Sequence, residues 1–72
     1  MIPADREQFL MAKLHSKKEE ISKEEANEMA EILIKLFPRF KEANQEEVAD
    51  KIYEVCQPAS EGNIFTLFKM FK

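Results

Sequence analysis

Apolar residues recur three and four positions apart in four stretches of the chain, and this spacing predicts four helices. The widest apolar stripe belongs to the second stretch and comprises Ala26, Met29, Ala30, Leu33, Leu36 and Phe37. Ile32 and Ile34 broaden the stripe, and a helix that is apolar on most sides is typically covered by its neighbours. We therefore predict that the second helix lies at the centre of the fold.

Capping residues and a proline mark the ends of the first two helices. The apolar spacing predicts a first helix from about Ala4 to Ser16. Ser22 followed by Glu25 fits a capping box, in which each side chain accepts the other residue's backbone N–H, so the second helix should begin after Ser22. Pro38 lacks the N–H that a helix interior needs, so the second helix should end before it.

The same signals predict the third and fourth helices. Asn44 followed by Glu47 repeats the capping pattern, and Pro58 sets the end of the third helix. Ser60 and Asn63 could each cap the fourth helix, so two starting points remain open.

We predict an all-α fold, a compact bundle of three to four short helices that forms a single domain over residues 1–72. Phe40 should fold back onto the core beside Phe37. The predicted core consists of Leu14, Met29, Leu33, Leu36, Phe37, Val48, Ile52, Cys56, Leu67 and Phe68.

Composition narrows the class of protein. Cys56 is the only cysteine, which excludes an internal disulfide and favours a reducing, cytoplasmic setting. No apolar run approaches the roughly 18 residues that a membrane span needs, and no signal-peptide pattern is present. The net charge of -3 disfavours direct nucleic acid binding, because nucleic acid binders usually carry a basic face.

Residues that could carry catalysis are few. The chain has one histidine, His15, one cysteine and one glycine, Gly62, so it lacks a glycine-rich phosphate loop. Cys56 lies on an apolar stripe and is expected to be a small buried side chain. His15 has no second ligand at metal-binding spacing. We predict a protein that is not an enzyme and that has no cofactor and no metal site.

The C-terminal segment concentrates aromatic and methionine side chains in a short window. These side chains are Phe65, Phe68, Met70 and Phe71. Positions 64, 67, 68 and 71 fit one helix face, and Lys69 and Lys72 suit the helix C-terminus. Two alternatives remain open: the whole segment completes the core, or one side, with Phe65 and Met70, stays exposed and binds a partner.

Four glutamates recur at helical spacing near the second helix: Glu20, Glu24, Glu28 and Glu31. A solvated helix surface explains them without any function. The functional alternative is an acidic strip that meets a basic partner surface, which would speed association more than it tightens binding.

Residues 22–56 resemble the start of the helicase loader and inhibitor proteins of phages that infect Gram-positive bacteria. In that family a short acidic helix ends in an aromatic-Pro-x-Phe element, here Phe37-Pro38-Arg39-Phe40, and an amphipathic helix follows, here with Tyr53. The resemblance implies a small helical domain that delivers or restrains a replicative helicase during phage DNA replication. Two features differ from the family, since this chain has no tryptophan and ends in an apolar segment, so the resemblance assigns no functional residue.

Three functional hypotheses follow. The first is a protein-binding module of a phage or mobile element that modulates a host or phage protein, with a replicative helicase as the named partner. The second is an assembly module that forms a homodimer or larger oligomer through the C-terminal helix. The third is a small helix-turn-helix regulator linked to DNA, built from residues 47–71.

Overall fold

The computed structural model of the protein describes residues 2–71, in which helices are joined by short connections and no strand occurs. In chain order the elements are α1 (Ala4–Ser16), α2 (Lys23–Leu36), a 3-10 turn (Pro38–Phe40), α3 (Gln45–Val55) and α4 (Ile64–Met70). The predicted all-α bundle is therefore confirmed. Lys69 lies in the last turn of α4 as expected, whereas Lys72 lies outside the described residues.

The capping box at the start of α2 forms as predicted. The Ser22 hydroxyl accepts the Glu25 N–H at 3.1 Å, and the Glu25 carboxylate accepts the Ser22 N–H at 3.0 Å. Ile21, directly before the cap, and Ala26, in the first turn of α2, are both buried in the core, as a hydrophobic staple requires. This pairing fixes the angle at which the chain enters α2.

The two later caps are both asparagines. Asn44 Oδ1 accepts the Glu46 N–H at 2.8 Å, so the predicted pairing of Asn44 with Glu47 is wrong by one residue. Asn63, and not Ser60, begins α4: its Oδ1 accepts the N–H groups of Phe65 and Thr66 at 2.9 and 3.2 Å. The first N–H groups of a helix have no partner within the helix. An asparagine side-chain oxygen can therefore accept from whichever of these groups the local backbone brings nearest.

The core forms around α2, which packs against α1, α3 and the 3-10 turn, as its wide apolar stripe predicts. Seven predicted core residues are fully buried: Leu14, Met29, Leu33, Val48, Ile52, Cys56 and Leu67. Phe37 and Phe68 are only partly buried against them. The buried residues that were not in the predicted core are Leu10, Ile21, Ala26, Ala30, Ile32, Phe40, Ala49 and Ile64.

Leu36 is the clear error in the predicted core, because its side chain is 49% exposed. It lies in the last turn of α2, and Pro38 ends the helix just beyond it. The chain then turns back through the 3-10 turn and buries Phe40 completely, which continues the core in place of Leu36. Helical spacing alone placed Leu36 in the core, but it does not show which residue fills the core once Pro38 has ended the helix.

Polar contacts join the α1–α2 connection to the α3–α4 connection. The Gln57 amide accepts the Ile21 N–H and donates to the Ile21 carbonyl, both at 2.7 Å. Lys17 adopts a left-handed backbone (φ 55°), and its ammonium donates to the Ser60 carbonyl at 2.7 Å and to the Gly62 carbonyl. These bonds pair part-buried backbone groups of the two connections with side chains.

Two ion pairs hold α1 against α2. Lys13 Nζ donates to both carboxylate oxygens of Glu25 at 2.8 Å, and Arg6 donates to both oxygens of Glu28 at 3.1–3.2 Å. The Lys13 hydrogen bonds, with help from the Ser22 backbone, hold the pKa of Glu25 below its ordinary value of 4.5. The pKa of Glu28 is lowered in the same way by Arg6.

Replacing Leu33 with Asp should abolish the cooperative unfolding transition. A buried unpaired charge costs several kcal/mol, which is comparable to the roughly 3–5 kcal/mol that a core of this size supplies. Leu36→Asp is the matched control, since it places the same charge one helical turn later on an exposed position. Thermal unfolding followed by circular dichroism measures both variants, and a cooperative Leu33→Asp melt like that of the wild type would refute the core placement.

Stability should fall as the medium is acidified, and Lys13 should account for part of that fall. Because the folded-state pKa of Glu25 lies below 4.5, the ion pair stabilises fully above that pH, and this contribution is lost as pH falls through the folded-state pKa. Lys13→Met should therefore lose less stability than the wild type as the pH falls from about 6 to about 3 in urea unfolding. Lys18→Met, which removes an exposed charge in the following connection, should keep the wild-type pH dependence.

Candidate protein-binding surface

Four phenylalanine rings pack where α4 meets the 3-10 turn. Phe40 lies at the centre, with ring centroids 6.4 Å from Phe37, 5.6 Å from Phe68 and 5.3 Å from Phe71. Phe37 and Phe68 approach each other to 5.1 Å. These separations and the tilted or edge-on angles are typical of stabilising aromatic contacts. The cluster confirms that Phe40 folds back beside Phe37, and it sets the position of α4.

Arg39 fixes the C-terminal end of α4. Its Nη1 donates to the Phe68 carbonyl at 2.9 Å, and its guanidinium carbon lies 5.1 Å from the centroid of the Phe68 ring. A helix as short as the seven residues of α4 is marginal without tertiary support. Arg39 gives this support by pairing a carbonyl near the helix end and by lying over an aromatic face.

The apolar side chains of α4 divide between the core and the solvent. Ile64 and Leu67 are buried, and Phe68 is partly buried in the ring cluster together with Phe71, which follows the helix, whereas Phe65 and Met70 are exposed. Phe65 is 65% exposed and Met70 is 48% exposed, while the Phe65 ring stands edge-on to Phe68 at 6.3 Å. We name the side chains of Phe65, Phe68, Met70 and Phe71 the C-terminal surface. A seven-residue helix that is apolar on most sides cannot bury every apolar side chain in a bundle of this size.

An open cleft of about 600 Å³ lies between the end of α4 and the segment that leads into α3. Its lining residues are Pro38, Arg39, Lys41, Glu42, Ala43, Glu47, Met70 and Phe71. The cleft thus shares Met70 and Phe71 with the C-terminal surface and adds charges of both signs. Its volume lies within the range of roughly 300–1,000 Å³ that is common for ligand sites.

The four predicted acidic residues do not form one continuous strip. Glu24 and Glu31 are exposed on α2, but Glu20 lies in the connection before Ser22 begins the helix. Glu28 is bound by Arg6 and serves to hold α1 against α2. Their spacing would place all four on one face only if the helix began before Glu20.

Other exposed apolar side chains lie apart from the C-terminal surface along the chain. Phe9 is 50% exposed and contacts the Arg6 guanidinium, and Tyr53 contacts the Lys23 ammonium. Each of these rings is covered on one face by a cation of the protein itself. Both rings are less exposed than the ring of Phe65.

Cys56 and His15, the two side chains that could carry catalysis, lie in different surroundings. Cys56 is fully buried, and burial raises the pKa of its thiol to about 11, so the reactive thiolate is scarce at neutral pH. His15 is exposed at the end of α1. Among residues 2–71, no group of three or more His, Cys, Asp and Glu side chains is arranged to hold a metal ion. None of the helices described is both long and apolar enough to span a membrane.

The connection between α3 and α4 bears on the helix-turn-helix hypothesis. It runs from Cys56 to Asn63, which is eight residues. The turn of a helix-turn-helix motif typically has about 3–4 residues. The connection geometry therefore does not favour this hypothesis.

Comparison of the chain with protein family models, curated proteins and solved structures finds no match.

Replacing Arg39 with Gln should loosen α4 selectively. The substitution removes the cation over the Phe68 ring and the bond from Nη1 to the Phe68 carbonyl. Amide hydrogen exchange in α4 should become faster, while exchange in α1 and α2 should stay close to that of the wild type. Lys41→Gln, which removes an exposed cation two residues after Arg39, is the control. Unchanged α4 exchange in Arg39→Gln would show that the ring cluster alone holds the helix.

Proposed function

We propose that this protein is a small non-enzymatic module that binds another protein through the C-terminal surface. The observation that carries the proposal is the exposure of Phe65 and Met70 on a helix whose Ile64 and Leu67 side chains are buried in the core. Aromatic and methionine side chains are enriched in protein interfaces, and exposed apolar groups of this size are often binding sites.

The support beneath these two side chains suits binding. Phe65 rests edge-on against Phe68, which Arg39 and Phe40 hold in place. The Asn63 cap fixes the first turn of α4, from which Phe65 projects. Because the anchor is already ordered, less conformational entropy is lost when a partner binds.

A non-enzymatic role agrees with the chemistry of the described residues. A cysteine nucleophile needs a lowered pKa and a nearby base, whereas the Cys56 thiol is buried and its pKa is raised. The exposed His15 lies at the end of α1 with no polar side-chain partner among residues 2–71. A binding role accounts for the exposed Phe65 and Met70 side chains, and a catalytic role does not.

The partner that we propose is a replicative helicase, and the setting is the cytoplasm of a cell that carries a phage or another mobile element. The support is the resemblance of residues 22–56 to the helicase loader and inhibitor family. Phe37 and Phe40 of the resembling element form the ring cluster that positions α4. The exposed carboxylates of Glu24 and Glu31 would add attraction to a basic region of the partner.

Self-association is the second candidate function, and the same observation favours it. Two copies of the chain could cover each other's Phe65 and Met70 side chains in a symmetric contact. Size-exclusion chromatography with light scattering separates the two candidates, since only self-association requires a stable oligomer of the purified chain.

The decisive variant carries Phe65→Glu together with Met70→Glu. Both substitutions replace exposed apolar side chains, so the circular dichroism spectrum and the melting temperature should stay near those of the wild type. Affinity capture from a lysate of the source organism, scored by mass spectrometry, should enrich a partner with the wild type and lose at least about tenfold of it with the variant. Phe9→Glu, a similarly exposed position on α1, is the matched control and should retain the partner.

Each outcome of this capture has a separate meaning. Recovery of a replicative helicase supports the full proposal, and recovery of a different protein supports the binding module without the helicase. Recovery of the chain alone favours self-association. Equal recovery by the wild type and the double variant would refute the C-terminal surface as the binding site.

A further inference from the structure

The cleft beside the C-terminal surface contains charges that the protein itself does not neutralise. Arg39 and Lys41 line it together with Glu42 and Glu47, and no ion pair within 4.0 Å joins any of these four residues to another among residues 2–71. Lys41, Glu42 and Glu47 are all exposed. Unpaired charges of both signs in one cleft favour an occupant that itself carries both signs.

The apolar part of the cleft has a definite position. Met70, the last residue of α4, and the partly buried Phe71 that follows it form one part of the lining, and Ala43 lies on the segment before α3. An apolar side chain of an occupant would rest against these groups, and the charged residues of the cleft would meet its polar neighbours. The volume of about 600 Å³ holds a few residues of a peptide rather than a folded domain.

From these observations we infer that the cleft binds a short peptide segment of the partner in which an apolar residue is flanked by one acidic and one basic residue. The acidic residue meets Arg39 and Lys41, the basic residue meets Glu42 and Glu47, and the apolar side chain packs on Met70 and Phe71. This inference rests on the proposed function, because the cleft continues the C-terminal surface.

Arg39 can serve both the fold and the peptide. Its Nη1 donates to the Phe68 carbonyl, and its remaining guanidinium nitrogens make no other hydrogen bond among residues 2–71. A guanidinium carries donors on all three nitrogens, so a peptide carboxylate can bind without displacing the contact with α4. Nucleic acid fits the cleft poorly, because Glu42 and Glu47 would repel its phosphates.

The test uses a displayed library of random peptides, selected on the purified full chain. Wild-type protein should enrich peptides with an apolar residue between an acidic and a basic residue. Lys41→Glu and Glu47→Lys should each weaken binding of a selected peptide by about tenfold, as measured by fluorescence anisotropy. Reversing the peptide's acidic residue should restore binding to Lys41→Glu, and reversing its basic residue should restore binding to Glu47→Lys.

Glu46→Lys provides the matched control. Glu46 is exposed in the same first turn of α3 as Glu47 but does not line the cleft. Glu46→Lys changes the net charge of α3 by the same amount as Glu47→Lys, and it should bind the peptide as the wild type does. The inference is overturned if no peptides are enriched, if the enriched peptides lack the mixed-charge pattern, or if both cleft variants bind them like the wild type.

The two proposals can fail separately. Phe65 does not line the cleft, so loss of the captured partner in Phe65→Glu but not in Lys41→Glu or Glu47→Lys supports the C-terminal surface and refutes the peptide. Peptide binding with the predicted charge reversal, but without capture of any protein, supports the cleft and refutes the broader proposal.

Discussion

The burial of Phe40 is the contact on which the C-terminal half of the structure depends. Pro38 ends α2, and the 3-10 turn brings Phe40 back onto the core, where it is completely buried. Its ring then packs against Phe68 and Phe71, and α4 takes its position from these contacts. The outward direction of Phe65 and Met70 follows from the side of α4 that Phe40 occupies.

The N-terminal half is joined to this arrangement by polar contacts as well as by the apolar core. Lys13 and Arg6 hold α1 to α2, while Lys17 and Gln57 join the α1–α2 connection to the α3–α4 connection. Gly62 lies so close to α3 that a Cβ there would stand 2.9 Å from the Val55 carbonyl oxygen. A small domain has little core area, so specific contacts of this kind determine which single arrangement is stable.

The helices could be predicted from the sequence because their signals are local. Serine and asparagine caps act within three residues, and Pro38 acts on the turn before it, so each boundary is encoded where it occurs. The exposure of Leu36 was missed although the return of Phe40 was predicted, because helical spacing assigns Leu36 to the core and does not show that Phe40 takes its place.

In the candidate site, too, features with a local sequence signal could be predicted and features that depend on distant contacts could not. The exposure of Phe65 and Met70 was one of two open alternatives, and the sequence raised it because α4 is apolar on most sides. The contact from Arg39 to Phe68 spans 29 residues and has no local signal. Glu28 likewise pairs with Arg6, which lies 22 residues away, and no local signal shows this pairing.

The most direct test of the central claim places a photo-crosslinking phenylalanine analogue at position 65 in cells of the source organism. The account predicts one discrete adduct heavier than two copies of the 8.5 kDa chain, and much less adduct from the same analogue at position 9. An adduct with the mass of two copies would establish self-association instead. The absence of any adduct at position 65, or equal adducts at both positions, would contradict the assignment of the C-terminal surface as the binding site.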